Sequence, residues 1–401
     1  MKVITTRSLT FLDFIRLPLS VYSAAGVKMF LWDDQDFMSW WEKFLLVFQF
    51  VNLSTNFFAK ALFFVFGQFE GTVHLTKWAL YFIFANNGFC KVFSVALGRH
   101  QLFSVLKDLE KIYPKTHQER QEFRLVPCYQ YIMKHSKIMS IQHFTIALIF
   151  VVFPIVQSTI EYLTSDDENA NFVPYTPYIM VYPFDVSRGI GYAYAYISQT
   201  LGGFTVSCYI VGSDMLLMCS IYQVIMHFDH LCLRIENFQS KGYEEDMQEI
   251  SMVLERHNLL NKLAESVNNI FSISILLNYM ISIFIIVMIS IQISTGSDFG
   301  LDFIKFVGFF TSATTQVYYI CMFGTLLMEH SGQVCEALIG QQWYMADVRY
   351  QRMLVLAIAR SQRPSHLTAF KFFTISMETF SNLMTTAYQF FTLLKTQMEE
   401  Q

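Results

Sequence analysis

Charge is scarce in this chain. Of 401 residues only 15% are charged, while 53% are hydrophobic and 17% aromatic; a soluble globular protein carries roughly 25% charged residues. That shortage excludes an ordinary soluble fold. A net charge of −4 leaves no basic excess to hold nucleic acid. Low-complexity stretches are lacking, as is the inverted internal repeat that many transporters carry. No catalytic triad or phosphate-binding loop stands out, so no enzyme and no cofactor is expected. The first residues, "MKVITTRSLTFLDFIRLPLS", lack an apolar core followed by a small-residue cleavage site. They do not read as a cleaved signal peptide, and insertion then falls to the first span.

What is present is apolar length. A helix needs about 20 mostly apolar residues to cross about 30 Å of hydrocarbon. Seven segments qualify, near 42–64, 75–97, 137–160, 192–218, 268–293, 301–328 and 372–395. The basic residues orient them. Arg99, Lys107, Lys111, Lys115, Arg120, Arg124 and Lys134 crowd one connection, and Arg234, Lys241, Arg256 and Lys262 another. Arg349, Arg352, Arg360 and Arg363 occupy a third, and the opposing loops 65–74, 161–191 and 294–300 hold only Arg188. By the positive-inside rule the N-terminus is cytoplasmic and the C-terminus extracellular, opposite to a G-protein-coupled receptor. The expected fold is an all-α membrane protein with seven transmembrane helices. All seven cysteines fall in spans or on the cytoplasmic side, so no disulfide framework is expected. The sequon Asn52-Leu53-Ser54 lies inside the first span and reads as a helix–helix contact.

The cytoplasmic connections are patterned. "MQEISMVLERHNLLNKLAESVNNIF" aligns Ile250, Val253, Leu254, Leu260 and Leu263 on one helical stripe, which predicts a helix running on into the fifth span. "MLVLAIARSQRP" is a second apolar-faced helix ending at Pro364. Residues 1–41 form a cytoplasmic N-terminal segment, and 329–371 supply helices of a cytoplasmic anchor bundle. Prolines and tyrosines in "VPYTPYIMVYPFD" predict an ordered cap over the outer end.

The seventh segment is odd among the spans. Its polar residues Thr374, Glu378, Asn382, Thr385, Gln389, Thr392 and Thr396 recur at gaps of 4, 4, 3, 4, 3 and 4, one side of a helix. Phe373, Phe380, Leu383, Met384, Ala387, Phe391 and Leu394 take the other side. Such a stripe cannot face lipid. It either bonds to neighbouring helices within one chain or lines a water-filled conduit built by several copies. In the second case Leu393 is placed as an apolar constriction. The predicted outer side is acidic, with Glu70, Glu161, Asp166, Asp167, Glu168, Asp185, Asp298, Glu399 and Glu400 against Arg188 and Lys395, which favours cations.

Two further features carry charge. His227-Phe228-Asp229-His230 has a spacing seen in metal sites, but lacks further ligands and reads as a solvated helix face; no metal is expected. Asp214 is an acid within the fourth span, read as a buried polar contact above the anchor.

Residues 340–395 resemble the insect odorant receptor family through Trp343, Arg360-Ser361-Gln362-Arg363-Pro364, Leu367-Thr368-Ala369, Ser376, Phe380 and Tyr388. "LERHNLLNKLAESVNNIFS", with His257, and "YPFDVSRGIGYAYAYISQ" extend the resemblance along the chain. There are departures: Tyr388-Gln389-Phe390-Phe391 stands where the family often has Tyr-Ser-Tyr-Phe, and Phe370 where a glycine is common. The gustatory-type signature is not found. The resemblance implies a tetrameric ligand-gated cation channel whose seventh helix lines the pore, with Thr385, Gln389, Thr392, Leu393 and Thr396 facing it. It also implies a co-receptor partner in a hetero-oligomer, a small volatile organic ligand, surrounding membrane lipid, and a plasma membrane location on the dendrite of an olfactory sensory neuron. This chain lacks the long insert that the co-receptor carries between its fourth and fifth spans, which makes it an odour-tuning subunit.

In that family the ligand pocket lies in the outer half of the bundle. The aromatic stripes there nominate Trp78, Tyr81 and Phe82; Phe150, Phe153 and Gln157; Ile197, Thr200 and Phe204; and Phe306, Phe309 and Phe310. A ligand opens a pore only by binding the open state more tightly; a ~100-fold preference is worth ~2.7 kcal/mol. Occupancy would shift the fifth and sixth spans and let Leu393 swing off the pore axis.

Overall fold

In the computed structural model, residues 9–28, 39–69, 71–164, 175–187, 189–295 and 300–399 are described. Eleven α-helices occur among them, numbered in chain order. The first, α1 (Phe11–Ala24), α2 (Trp40–Phe66) and α3 (Thr72–Leu97) precede two short helices, α4 (Arg99–Ile112) and α5 (His117–Glu122). Four long helices follow, α6 (Leu125–Thr164), α7 (Gly189–Glu236), α8 (Tyr243–Thr295) and α9 (Leu301–Gly340). A short α10 (Val348–Ser361), a two-stranded hairpin of β1 (Thr368–Ala369) and β2 (Phe373–Thr374), and α11 (Met377–Glu399) complete the chain. Each expected span falls in or on one of the helices α2, α3, α6, α7, α8, α9 and α11. Five of them, α2, α3, α6, α7 and α8, are long and apolar enough to cross a membrane by length and composition.

The four long helices have 40, 48, 53 and 40 residues. At about 1.5 Å per residue the longest reaches about 80 Å, far beyond the about 30 Å of hydrocarbon. Their surplus lengths pack with α1, α4, α5 and α10 into an anchor bundle at one end. The stripe that predicts α8 is where the packing is: Ile250, Val253, Leu260 and Leu263 are buried. The N-terminal segment adds a helix that periodicity did not reveal. In α1 the Thr10 hydroxyl and backbone N–H both donate to Asp13 at 2.8 Å, capping a helix that buries Phe14, Ile15 and Tyr22 completely. Tyr22 reaches α7 and shares a hydrogen bond with Ser213.

The last span needs correction at its start. Residues 372–376 are strand and loop, so Thr374 belongs to β2 and the helical stripe begins at Glu378. Apolar Phe372 and Phe373 made the hairpin look like membrane helix.

At the other end, called here the loop end, residues 175–187 fold back over the helices. Val181 donates its backbone N–H to Ala59 O at 3.2 Å, and Tyr178 donates its own to Gln199 Oε1 at 2.8 Å. The expected ordered cap is present for those residues. Glu70, Asp166, Asp167, Glu168, Arg188, Asp298 and Glu400 lie outside the described residues.

Candidate ligand cavity and pore-facing helix

A narrow cavity lies among α3, α6, α7 and α9 near the loop end. Tyr81 and Phe84 come from α3; His143, Ile146, Ala147 and Phe150 from α6; Ser207 from α7; Phe309 and Ser312 from α9. The rings meet edge to face: Tyr81 on Phe150 at 5.7 Å, Phe84 on Phe309 at 5.1 Å, Phe150 on Phe309 at 5.4 Å. Each such pair adds about 0.5–1.5 kcal/mol beyond the area it buries. Polar groups are few. His143 Nδ1 pairs with Ser312 Oγ at 3.2 Å, while His143 Nε2 is buried with no partner. An apolar box with one or two orienting polar atoms suits a small organic ligand.

Tyr178 of the capping loop closes this box. Its ring stacks on Phe150 at 6.3 Å and meets Tyr81 edge-on at 5.5 Å. It can lie there because α7 has Gly203 opposite: a Cβ at that position would sit 2.4 Å from the Tyr178 hydroxyl. On its far side is a second narrow cavity among α2, α3 and α7. Phe84 and Tyr178 line both and form the partition between them.

Of the aromatic stripes nominated from the sequence, Tyr81, Phe150 and Phe309 line the first cavity. Trp78 and Phe82 stack on each other at 5.3 Å and turn toward α2, where the Trp78 indole donates to Lys60 O at 3.1 Å. Phe306 is buried under the Lys305 ammonium, 5.0 Å from its ring centre, and Phe310 is half-buried against the same ring cluster. Phe153 is half-buried away from the cavity, and Gln157 donates to Glu161 at 3.1 Å on the surface. Ile197 and Phe204 are exposed on the outside of the bundle. Thr200 is half-buried with an unpartnered hydroxyl. Aromatic spacing at i, i+3, i+4 finds helix faces but not which face turns inward. On α3 the inward residues are Tyr81 and Phe84. Sequence reasoning also missed His143, Ser312 and Tyr178; the tyrosine next to Pro177 in the loop was the available signal.

The polar stripe of α11 has a clear disposition. Leu383 and Ala387 are buried against α8 and α9, with Phe380, Met384, Phe391 and Leu394 half-buried beside them. On the opposite side Glu378, Asn382, Thr385, Gln389, Leu393 and Thr396 are exposed, and Thr392 is half-buried. Thr392 and Thr396 donate to the carbonyls of Gln389 and Thr392, within their own helix. Among the described residues no hydrogen bond joins this stripe to another helix. A single chain therefore leaves polar groups bare on a helix of membrane-spanning length, which lipid does not tolerate.

The base of α11 is held from two sides. Thr325 of α9 accepts the Met377 N–H at 2.9 Å, capping an orphan donor of the first turn. Gly324 lets the hairpin lie against α9, since a Cβ there would be 2.4 Å from Ile375 O. From α8, Asn268 Oδ1 accepts the Thr368 N–H at 2.7 Å and Nδ2 donates to the Thr368 hydroxyl at 3.0 Å. Phe370 and Lys371 turn the hairpin with φ of +47° and +64°, left-handed values that cost a non-glycine residue roughly 1–2 kcal/mol each. Thus α9 carries Phe309 and Ser312 in the cavity wall and Thr325 at the root of α11.

Between cavity and anchor, Lys91 of α3 forms a buried ion pair with Asp214 of α7. Gln316 of α9 donates to the second carboxylate oxygen at 2.6 Å. The expected buried contact at Asp214 is therefore real, and its cationic partner lies within a span. The His227–His230 segment is not the solvated face that its sequence suggested. His227 is buried against Arg256, His230 stacks on Phe123 at 3.8 Å, and Asp229 binds His330 of α9. Burial holds the His227 imidazole well below its usual pKa. The Asp229 hydrogen bond raises that of His330.

Comparison with known proteins follows this geometry. The family described as 7tm Odorant receptor matches residues 73–388. Odorant receptor 85b of Drosophila melanogaster is 30% identical over 319 residues, covering 79% of this chain and 80% of that protein. Putative odorant receptor 85d of the same organism is 27% identical over 394 residues, covering 96% and 94%. The solved olfactory receptor OR5 from Machilis hrabei, in complex with eugenol, superposes with a TM-score of 0.79 at 12% identity, covering 96% of this chain and 98% of that one. The chain belongs to the insect odorant receptor family.

Proposed function

We propose that this chain is the odour-tuning subunit of a ligand-gated, non-selective cation channel in the plasma membrane. A small volatile molecule binds in the ring-lined cavity among α3, α6, α7 and α9 beneath Tyr178. The α11 helices of several subunits, the co-receptor among them, enclose the pore. The observation that carries this reading is the bare polar stripe of α11 over an apolar back seated on α8 and α9. Glu378, Asn382, Thr385, Gln389, Thr392 and Thr396 need water or another chain, and a water-filled axis supplies both. That Machilis hrabei OR5 was solved with eugenol lends support to a small aromatic or oxygenated ligand here.

The coupling follows from the root of α11. A ligand that spreads Phe309 and Ser312 from α6 moves α9, and α9 holds Met377 through Thr325. Rotation of α11 about that root carries Leu393 off the axis. The basic connections support a cytoplasmic anchor. A transporter reading would draw on the Lys91–Asp214 pair, but α3, α7 and α9 run unbroken past it and Gln316 completes its bonding. Whole-cell current in cells expressing this chain with and without the co-receptor, under a panel of volatile esters, alcohols and aromatics, tests the proposal. A rapid cation current only on co-expression, persisting with G-protein signalling blocked, is expected. Current that vanishes with that block would overturn it.

A further inference from the structure

Lys60 is a cation inside an apolar helix. It lies one and a half turns before the end of α2 and is 93% buried, with 7% relative exposure. Its ammonium sits over the Tyr178 ring, 4.7 Å from the centre. No carboxylate and no hydrogen-bond acceptor engages it among the described residues. The backbone around it is fixed: the Trp78 indole binds Lys60 O and the Val181 N–H binds Ala59 O. Those bonds set the direction of the side chain, which lines the narrow cavity among α2, α3 and α7 that Tyr178 now fills in part.

A second polar atom in that cavity is also unspent. Asn56, one turn earlier on α2, donates through Nδ2 to Asn52 O at 2.8 Å and to Ser198 O at 3.3 Å. Both are obligate acceptors, so the amide is held with its oxygen away from them, and Asn56 Oδ1 is buried with no partner among the described residues. The rest of the wall is mostly apolar, with Phe57, Phe89 and Val206, and its other amide, Gln199, is spent on Tyr178 and Tyr182.

An ammonium removed from water with only an aromatic face for company is costly. A cation–π contact recovers about 0.5–2 kcal/mol, whereas an uncompensated buried charge costs several kcal/mol. A carboxylate offers both charge neutralisation and a charge-assisted hydrogen bond. From Lys60 and the apolar wall around it, we infer that the α2–α3–α7 cavity binds a small apolar molecule ending in a carboxylate, with Lys60 as its counter-ion. Asn56 Oδ1 accepts from a hydroxyl of that ligand or from a bound water. Tyr178, shared by both cavities, is displaced from the ammonium when the carboxylate arrives, and it takes that movement into the partition of the neighbouring cavity.

This inference rests on the proposed ligand-receptor role but concerns a different cavity, and binding can be read without current. The purified full chain in neutral-lipid nanodiscs would be titrated with hexanoate, hexanol and hexane at neutral pH, following the thermal unfolding midpoint. The wild type is expected to bind hexanoate at least about tenfold more tightly than hexanol, equivalent to about 1.4 kcal/mol. Lys60→Met and Lys60→Gln should lose that preference and keep hexanol binding; the second variant retains a polar group if the first fails to fold. Equal affinity for hexanoate and hexanol in the wild type, or a preference that survives both substitutions, would overturn the assignment. Because binding is read without current, the absence of any volatile-evoked current in co-expressing cells would count against the channel reading and leave this site standing.

Discussion

Two helices expected from the sequence to span the membrane meet opposite fates. The most apolar stretch of α7 is 94% buried, wrapped by α1, α2, α3, α6, α8 and α9. In α11 only Leu383 and Ala387 are buried, and one whole side is bare. The core of the single chain is thus complete around α7 and incomplete at α11. Packing energy resides at the first, and the unfinished surface at the second is where the proposed pore would take other chains. Substitutions at α7 contacts should therefore act on stability, and those on the bare face of α11 on conduction alone.

The largest stability effect is expected at the Lys91–Asp214 pair. Lys91→Met leaves the Asp214 carboxylate buried with Gln316 as its remaining hydrogen-bond partner, a loss of about 3–5 kcal/mol. The double variant Lys91→Met/Asp214→Leu should recover most of it. Thermal unfolding of the purified chain in nanodiscs measures both, and a neutral Lys91→Met would break the contrast between the helices.

A smaller change sharpens the other side of the comparison. Phe370→Gly removes a left-handed strain at the root of α11 and should stabilise the chain by about 0.5–1 kcal/mol net, after the larger entropy of glycine in the unfolded state. A destabilised variant would mean that the exposed Phe370 ring contributes more than its backbone costs.

The smallest effect concerns the lower end of α7. The Asp229 hydrogen bond raises the His330 pKa, so the folded state holds this proton more tightly than the unfolded chain. The stabilisation is fully present below the unfolded value of about 6.5 and is lost as pH rises through the higher folded value. Taken alone, this contact lowers the unfolding midpoint slightly across that window. Asp229→Asn should flatten the slope, and an unchanged slope would remove this contact from the account.

Much of this architecture was legible in the residues. Hydrophobic length located the long helices, the Ile250–Leu263 stripe predicted the extension of α8, and the polar periodicity of α11 marked its two faces. Helix rotation was not legible, because it is set by neighbours. Trp78 and Phe82 have the same aromatic spacing as the cavity-lining residues, yet they stack toward α2 while Tyr81 and Phe84 turn inward. Lys60 and Lys91 were visible as charges within apolar runs, but only tertiary structure sets one against a ring and the other against Asp214. The hairpin escaped notice because Phe372 and Phe373 continue an apolar run, and its left-handed turn lacks the glycine that would announce it.

The central claim is that the bare stripe of α11 faces an ion pathway. Cysteine would be placed singly at Thr385, Gln389, Thr392 and Thr396, and for comparison at Leu383 and Ala387. Co-expressing cells would then be exposed to a charged thiol reagent during ligand-evoked current. The account predicts rapid loss of current at the four stripe positions and none at the two seated on α8 and α9. Unaltered current at the stripe, or block at Leu383→Cys and Ala387→Cys instead, would contradict it.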